Sequence, residues 1–309
     1  MDAYLILDIG GTFTRCAVFT EKSGFEPAAI KKIHTVENDE PALERIISII
    51  HDMWPSDFDV RGISLAVPGS VDVNNGSVIL APNVPGWSNF PLREIISRHF
   101  NVDIFINNDA RLAAFGEWRR GAGIGHDNLL YFTISTGVGG GVIYHGKILE
   151  GNIGIATELG HVTIDENGPM CGCGHRGHLE AFTSGTAIRN YYLEQIDGTG
   201  KGREITARVI SEYARQGETL AISAFNRAGH YLGIGIANYL HIFNPTCVIL
   251  GGGVSLSADL FMNALENSLK SHILSENYIT DLTITTASLG DNAGLIGALE
   301  YLKEKIGAN

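Results

Sequence analysis

Residues 4–9 read Tyr-Leu-Ile-Leu-Asp-Ile and residues 15–20 read Arg-Cys-Ala-Val-Phe-Thr, two largely apolar runs on either side of Gly10-Gly11-Thr12. This pattern predicts an apolar strand, a glycine turn and a second strand, a hairpin with a polar tip. Over 41–53 the period changes. Leu43, Ile46, Ile47 and Ile50 recur at helical spacing behind Pro41, which predicts a helix with proline in its first turn. Residues 63–67 predict a buried strand ending at Pro68-Gly69, and 71–80 predict a second hairpin around Asn75-Gly76, the strongest two-residue turn signal. The β-rich run 103–107 places Asn108-Asp109 at a strand end.

The opening pattern returns at 129–144 as apolar strand, Ser135-Thr-Gly-Val-Gly-Gly-Gly141, apolar strand. Two copies about 125 residues apart read as an internal duplication, hence two similar α/β domains. A third glycine cluster, Gly251-Gly252-Gly253, follows the β-rich run 246–250 and precedes a helical stretch near 260–269. Strand, glycine loop and helix suggest a nucleotide site, although a GxGxxG fingerprint with a trailing acid is absent. Residues 228–258 carry no formal charge, yet His230, Asn238, His241, Asn244 and Pro245 interrupt them. A membrane span needs about 20 largely apolar residues, so this stretch reads as a buried helix followed by a buried strand.

Composition narrows the function classes. The 309 residues include 34 Asp and Glu against 22 Lys and Arg, a net charge of −12 with no basic tract, which argues against a nucleic-acid partner. At roughly 150 residues per domain the length predicts two domains with their own cores. Glycine, at 38 copies, exceeds the usual share of about 7% and clusters in loops, as it does where backbone approaches a ligand. Four cysteines without a secretory leader predict a reducing, cytoplasmic setting with no membrane partner.

Glycine clusters after strands let backbone N–H groups converge on phosphate oxygens; any single one is equally well a tight turn. Asp8, before the first cluster, is either a turn-forming residue or a carboxylate that holds Mg²⁺ through water. Asn108-Asp109 reads by itself as a turn or a helix cap before 110–118.

Taken in order, Asp8-Ile-Gly-Gly-Thr12, Asn108-Asp109, Ser135-Thr-Gly-Val-Gly-Gly-Gly141 and Gly251-Gly-Gly253 resemble the sugar kinase, hexokinase and actin ATPase superfamily. Within it, Glu158-Leu-Gly-His161 followed by Cys171-Gly-Cys-Gly-His-Arg-Gly-His-Leu-Glu180 is similar to the ROK family of sugar kinases and sugar-responsive repressors. The match extends to Asp291-Asn-Ala-Gly-Leu-Ile-Gly-Ala298. The resemblance implies two similar actin-like ATPase (ribonuclease H-like) α/β domains around a central cleft. It sets them at 1–114 plus 293–309, and at 115–292, the latter carrying the zinc motif and the adenosine site. It also implies phosphoryl transfer from MgATP to a hexose, a structural zinc and a homodimer. The repressor branch carries an additional N-terminal helix-turn-helix domain; with Asp8 on the first strand, the kinase branch is expected.

By this resemblance Asp109 is the base that receives the sugar hydroxyl proton, and Gly69, Asn83, Asn108, Glu158, His161 and Glu180 bind the sugar. Asp8, Gly10, Gly11, Thr12, Thr136, Gly137, Gly251, Gly252 and Gly253 bind ATP and Mg²⁺. His161, Cys171, Cys173 and His178 hold Zn²⁺, with His178 standing where the family has a cysteine and His175 a rival fourth ligand. Trp87 is either a cleft wall or a packed aromatic. Phe13 replaces a basic residue common after the Gly-Gly-Thr turn, leaving Arg15 or the backbone to compensate, and Thr157 replaces a glycine before Glu158. Glucose is the leading substrate; N-acetylmannosamine, N-acetylglucosamine, allose and fructose are alternatives, and a non-catalytic sugar sensor is the rival from another class. Hinges are expected near 110–115 and 292–296.

Overall fold

The computed structural model describes residues 1–38, 40–196 and 205–307. They form two compact units, Met1–Ile124 with Ile148–Thr157 and Asp291–Asn309, and Gly125–Lys147 with Glu158–Gly290.

In the first unit β1 (Asp2–Ile9) pairs antiparallel with β2 (Phe13–Thr20), which pairs antiparallel with β3 (Ala29–His34). Helix α1 (Ala42–Met53) follows, and β4 (Asp59–Val67) lies parallel to β1. A small sheet of β5 (Ser70–Asp72), β6 (Ser77–Leu80) and β7 (Ser88–Phe90) leads through α2 (Leu92–Ser97) to β8 (Asp103–Asn108), parallel to β4. Helix α3 (Asp109–Arg120) comes next. The main sheet therefore runs β3-β2-β1-β4-β8. Leu5, Leu7 and Ile9 join Ile46, Ile49 and Ile50 of α1 in one buried cluster, while Tyr4 and Ile6 are buried as well. A strand covered on both faces needs no polar alternation, which explains the nearly unbroken apolar run.

The second unit repeats the order. Strands β9 (Leu129–Ile134), β10 (Val138–Tyr144), β11 (Lys147–Ile148), β12 (Cys247–Gly251) and β13 (Thr283–Thr286) form the sheet β11-β10-β9-β12-β13. As in the first sheet, the central strand pairs antiparallel on one side and parallel on the other. The unit's helices are α4 (Glu180–Thr183), α5 (Gly185–Gln195), α6 (Ala207–Arg215), α7 (Thr219–Phe243) and α8 (Met262–His272). The uncharged stretch is thus the second half of α7, buried on one face as far as Leu240 but exposed at His241 and Ile242, followed by the buried β12. No described helix is long and apolar enough to cross a membrane.

Helix α9 (Ala293–Lys305) returns to the first unit and packs on α3. The approach is close: a Cβ at Gly297 would stand 1.7 Å from the Leu112 carbonyl oxygen, and one at Gly116 2.5 Å from that of Ala293. The division into units corrects two expectations. Helix α3 is not divided near residue 114, since its whole length stays with α9, and 148–157 belongs to the first unit. The segments expected as hinges are helical turns or helix entry packed within that unit, whereas the chain passes between units after 124, 147, 157 and 290.

The Asn75-Gly76 hairpin also differs from expectation. Asp72 pairs with Ser77, leaving a four-residue loop instead of a two-residue turn. Type I′ geometry needs positive φ at both central residues, and of the pair Gly76 alone has it, at 71°. Asp72 holds the wider loop, its Oδ1 accepting from Asn75 N (3.0 Å). Those bonds, led by the Asn75 backbone N–H, hold its carboxyl below the usual range. Trp87 is a packed aromatic, buried and stacked on Phe90 with ring centroids 5.3 Å apart. Cys16 and Cys247 are core residues, as their apolar neighbours imply.

Candidate active site

In the first unit β1, β4 and β8 are parallel neighbours, so Asp8, Gly69 and Asn108-Asp109 all lie at the carboxyl edge of one sheet. Loops at that edge are where open α/β sheets place ligands. Asn108 caps α3, its Oδ1 accepting from Arg111 N (3.0 Å). Its Nδ2 donates to the Gly69 carbonyl (3.0 Å) and to Asp109 Oδ1 (3.1 Å). Ala110 N donates to the same Asp109 oxygen (2.8 Å), so the carboxylate is oriented by its own helix terminus. Asn108 is therefore a helix cap, as one reading of its sequence position had it. Replacing Asn108 by Ala should cost about 1 kcal/mol through the lost cap, measured as a shift of the urea unfolding midpoint at unchanged slope.

The glycine turn after β1 is held by Thr35, whose hydroxyl donates to the Gly10 carbonyl (2.6 Å) and whose N–H donates to the Thr12 carbonyl (2.9 Å). Gly11 lies against the loop carrying Asn83; a Cβ there would stand 2.6 Å from Asn83 Cβ. Asp8 faces the start of α9, and its Oδ2 accepts from Arg15 Nη2 (2.5 Å) and Nε (3.2 Å). Arg15 also donates to the Asp291 carbonyl (2.5 Å). Its charge is thus spent on Asp8, and at position 13 the positive neighbour is Lys32, 4.0 Å above the Phe13 ring.

In the second unit the Ser135-Thr136-Gly137 turn meets three other segments. Gly185 N at the start of α5 donates to the Ser135 carbonyl (2.7 Å), and Thr186 Oγ1 donates to the Thr136 carbonyl (2.7 Å). Val254 N donates to the Ile134 carbonyl (2.9 Å), which draws Gly252 and Gly253 to the same strand end. Glu180 closes the group: its Oε2 accepts from Val138 N (2.9 Å) and its Oε1 from Cys171 Sγ (3.2 Å). Glu158, which is exposed, precedes the short helical turn Leu159–His161, fixed by the Tyr239 hydroxyl donating to the Leu159 carbonyl (2.6 Å).

The ligand atoms of His161, Cys171, Cys173 and His178 all lie within 4.8 Å of one another. Cys171 Sγ is 3.7 Å from His161 Nδ1, and Cys173 Sγ is 3.2 Å from His178 Nδ1. Two imidazoles and two thiols gathered this way match the donor set of a tetrahedral structural Zn²⁺. His175, 3.7 Å from Cys173, does not join that group. Without metal, burial pushes the Cys171 thiol up to about 12 and lowers the His178 imidazole.

Residues 4–305 match the model of the ROK family. The chain belongs to the ROK family. A glucokinase of Thermotoga maritima is 34% identical over 310 residues, covering 97% of each chain. The solved ROK glucokinase of Streptomyces griseus, in complex with glucose and AMPPNP, superposes with a TM-score of 0.82 at 30% identity, covering 98% of this chain and 99% of that one. The xylose repressor of Bacillus subtilis is 31% identical over 297 residues, covering 94% of this chain and 74% of its own. The fold is accordingly the two-domain actin-like ATPase fold.

Reading the sequence of this ROK chain missed Glu150. Its Oε1 accepts from Asn107 Nδ2 (3.0 Å) and from the Tyr301 hydroxyl (2.8 Å). Nothing in the spacing of 107, 150 and 301 announces that meeting. The polar Asn107 inside an apolar strand was the available signal, since a buried amide requires partners. The grip of α5 on Ser135 was equally unannounced, although Ser184-Gly185 is a legible helix start.

Proposed function

We propose that this protein transfers the γ-phosphoryl group of ATP to a hexose, with glucose as the leading substrate and Asp109 as the base. Family membership and end-to-end similarity to glucokinases make it an ATP-dependent sugar kinase. The choice of hexose and the residue roles are our reading. The observation that carries it is the gathering of Asp8, Gly69, Asn83 and Asn108-Asp109 on one edge of one sheet.

Phosphoryl transfer asks the protein for positioning and charge more than for covalent chemistry. Asp109 takes the hydroxyl proton as the sugar oxygen bonds to the γ-phosphorus, and the bond from that phosphorus to the bridging oxygen of ADP breaks. Asn108 and Gly69 orient the hydroxyl, and Asn83, Glu158, His161 and Glu180 complete the sugar contacts. Backbone N–H groups of Gly11, Thr12, Thr136 and Gly137 receive phosphate oxygens, Gly10 shapes the first turn with its own N–H donating to the Phe13 carbonyl (2.9 Å), and Gly251, Gly252 and Gly253 receive the nucleotide's remaining part. Asp8 would hold Mg²⁺ through water, supplying charge neutralisation at the phosphates. His161, Cys171, Cys173 and His178 would hold Zn²⁺ as a structural clip. On binding Zn²⁺ the Cys171 thiol would give up the proton it donates to Glu180, so the clip would steady Glu180 through the chain, by way of His178 two residues before it.

Coupled ADP release with glucose, mannose, N-acetylmannosamine, N-acetylglucosamine, allose and fructose tests this reading. Glucose should give the highest kcat/KM. Sugar binding without turnover of any member would instead favour a sensor, the role suggested by the repressor relative.

A further inference from the structure

Segment 148–157 is fastened beside the strand that carries Asn108. Glu150 holds Asn107 Nδ2, and Asn107 Oδ1 in turn accepts from Asn108 N (2.8 Å). Ala156 N donates back to the Glu150 carbonyl (3.1 Å). Between these anchors the backbone enters the left-handed region at Gly151 (φ 76°) and Gly154 (φ 80°), and again just beyond them at Thr157 (φ 69°). For glycine this carries no steric penalty, but a β-branched residue there is an outlier that persists only where its surroundings over-determine it. Such strain concentrates at ligand-binding positions.

Thr157 has a second anomaly. Its Oγ1 is buried without a hydrogen-bond partner among the described residues, while the residue as a whole is partly exposed. The atoms that meet solvent are therefore not the hydroxyl. Rotation of χ1 between staggered wells exchanges the hydroxyl with the methyl group or hydrogen on Cβ. A ligand offering a polar group at this surface would reward that rotation by giving a buried orphan its partner.

Resting on the sugar-kinase reading above, we propose that Thr157 is a specificity-determining residue whose hydroxyl turns outward to bond a free hydroxyl of the hexose. It thereby selects the unsubstituted sugar over its acetamido counterpart. A site that hydrogen-bonds a substrate hydroxyl discriminates against analogues that cannot satisfy it, and a threonine side chain leaves less room than glycine for a bulkier acetamido group.

The test compares the full-length protein with Thr157→Ser, Thr157→Ala and Thr157→Gly. It measures kcat/KM on glucose, mannose, N-acetylglucosamine and N-acetylmannosamine, with thermal unfolding alongside. Ser, which keeps the hydroxyl, should hold the ratio of glucose to N-acetylglucosamine within about threefold of wild type. Ala and Gly should each lower that ratio about tenfold, the size of one lost hydrogen bond of roughly average strength. Gly should also melt about 2 °C or more higher as the strain is relieved, which shows that its loss of selectivity is not a loss of folding. Ala and Gly variants that keep the wild-type ratio within twofold would overturn the proposal and leave Thr157 a strained turn only. If wild type turns over no hexose, the kinase reading fails, and the proposal is judged on the same ratio of dissociation constants by calorimetry. Absence of sugar binding overturns both.

Discussion

Asp109→Asn should reduce turnover by about 10² to 10⁴, the typical worth of a general base, while sugar affinity stays within a few-fold. The amide oxygen can take the place of Oδ1, accepting from Ala110 N and Asn108 Nδ2 as the carboxylate does. Shape and helix terminus are thus kept, and the capacity to accept the hydroxyl proton is lost. Steady-state kinetics give the first quantity and calorimetry with sugar alone gives the second. A variant that kept more than about a tenth of the wild-type rate, against that expected loss, would reduce Asp109 to a positioning residue. A matching fall in sugar affinity would show that the carboxylate acts chiefly in binding.

Zinc removal should be the most damaging change to folding in the second unit. Purified protein should carry about one zinc per chain, as one four-ligand set implies. Stripping it with a chelator should lower the melting temperature by several degrees and also reduce turnover. The reason lies in how little else holds the ligand loops. Between 162 and 179 the chain has only isolated bridges, Thr163 to His178 and Met170 to Arg176, with scattered turns. A metal joining His161 to His178 would supply the constraint that a regular hydrogen-bond ladder supplies elsewhere, in the way metal binding is coupled to folding in small metal-stabilised modules. Elemental analysis of His178→Ala and His175→Ala separates the two histidines: the first should lose zinc and the second keep it. The opposite pattern would make His175 the ligand, and metal-free wild type with unchanged stability in chelator would remove zinc from the account altogether.

How far the sequence reaches can be judged at particular residues. The strand, glycine turn, strand pattern at 4–20 and again at 129–144 is local, and local hydrophobic periodicity was enough to show both hairpins and the repeated sheet built on them. The Asn108 cap was likewise legible, because it depends on neighbours a few residues away, whereas the set His161, Cys171, Cys173 and His178 came from the family resemblance, and only the folded loops show those ligand atoms within 4.8 Å of one another. What the sequence could not decide were meetings over long separations. Gly116 and Gly297 read as ordinary helix glycines until α3 and α9 touch, and that contact moved a domain boundary and withdrew two expected hinges. The Asn75-Gly76 turn widened because the Asp72 side chain holds a four-residue loop that competes with the local preference. Thr157 could be noticed as a departure from glycine, but its positive φ and orphaned hydroxyl show only in the folded segment, whose start at Glu150 is fastened to Asn107 and Tyr301. Sequence by itself determined the repeated sheet and the chemical types at the strand ends, because periodicity and turn propensity are local. Only the tertiary structure decided which of those groups share an edge, which carboxylates are already engaged and where the backbone is strained, because these depend on packing between segments that the chain order keeps apart.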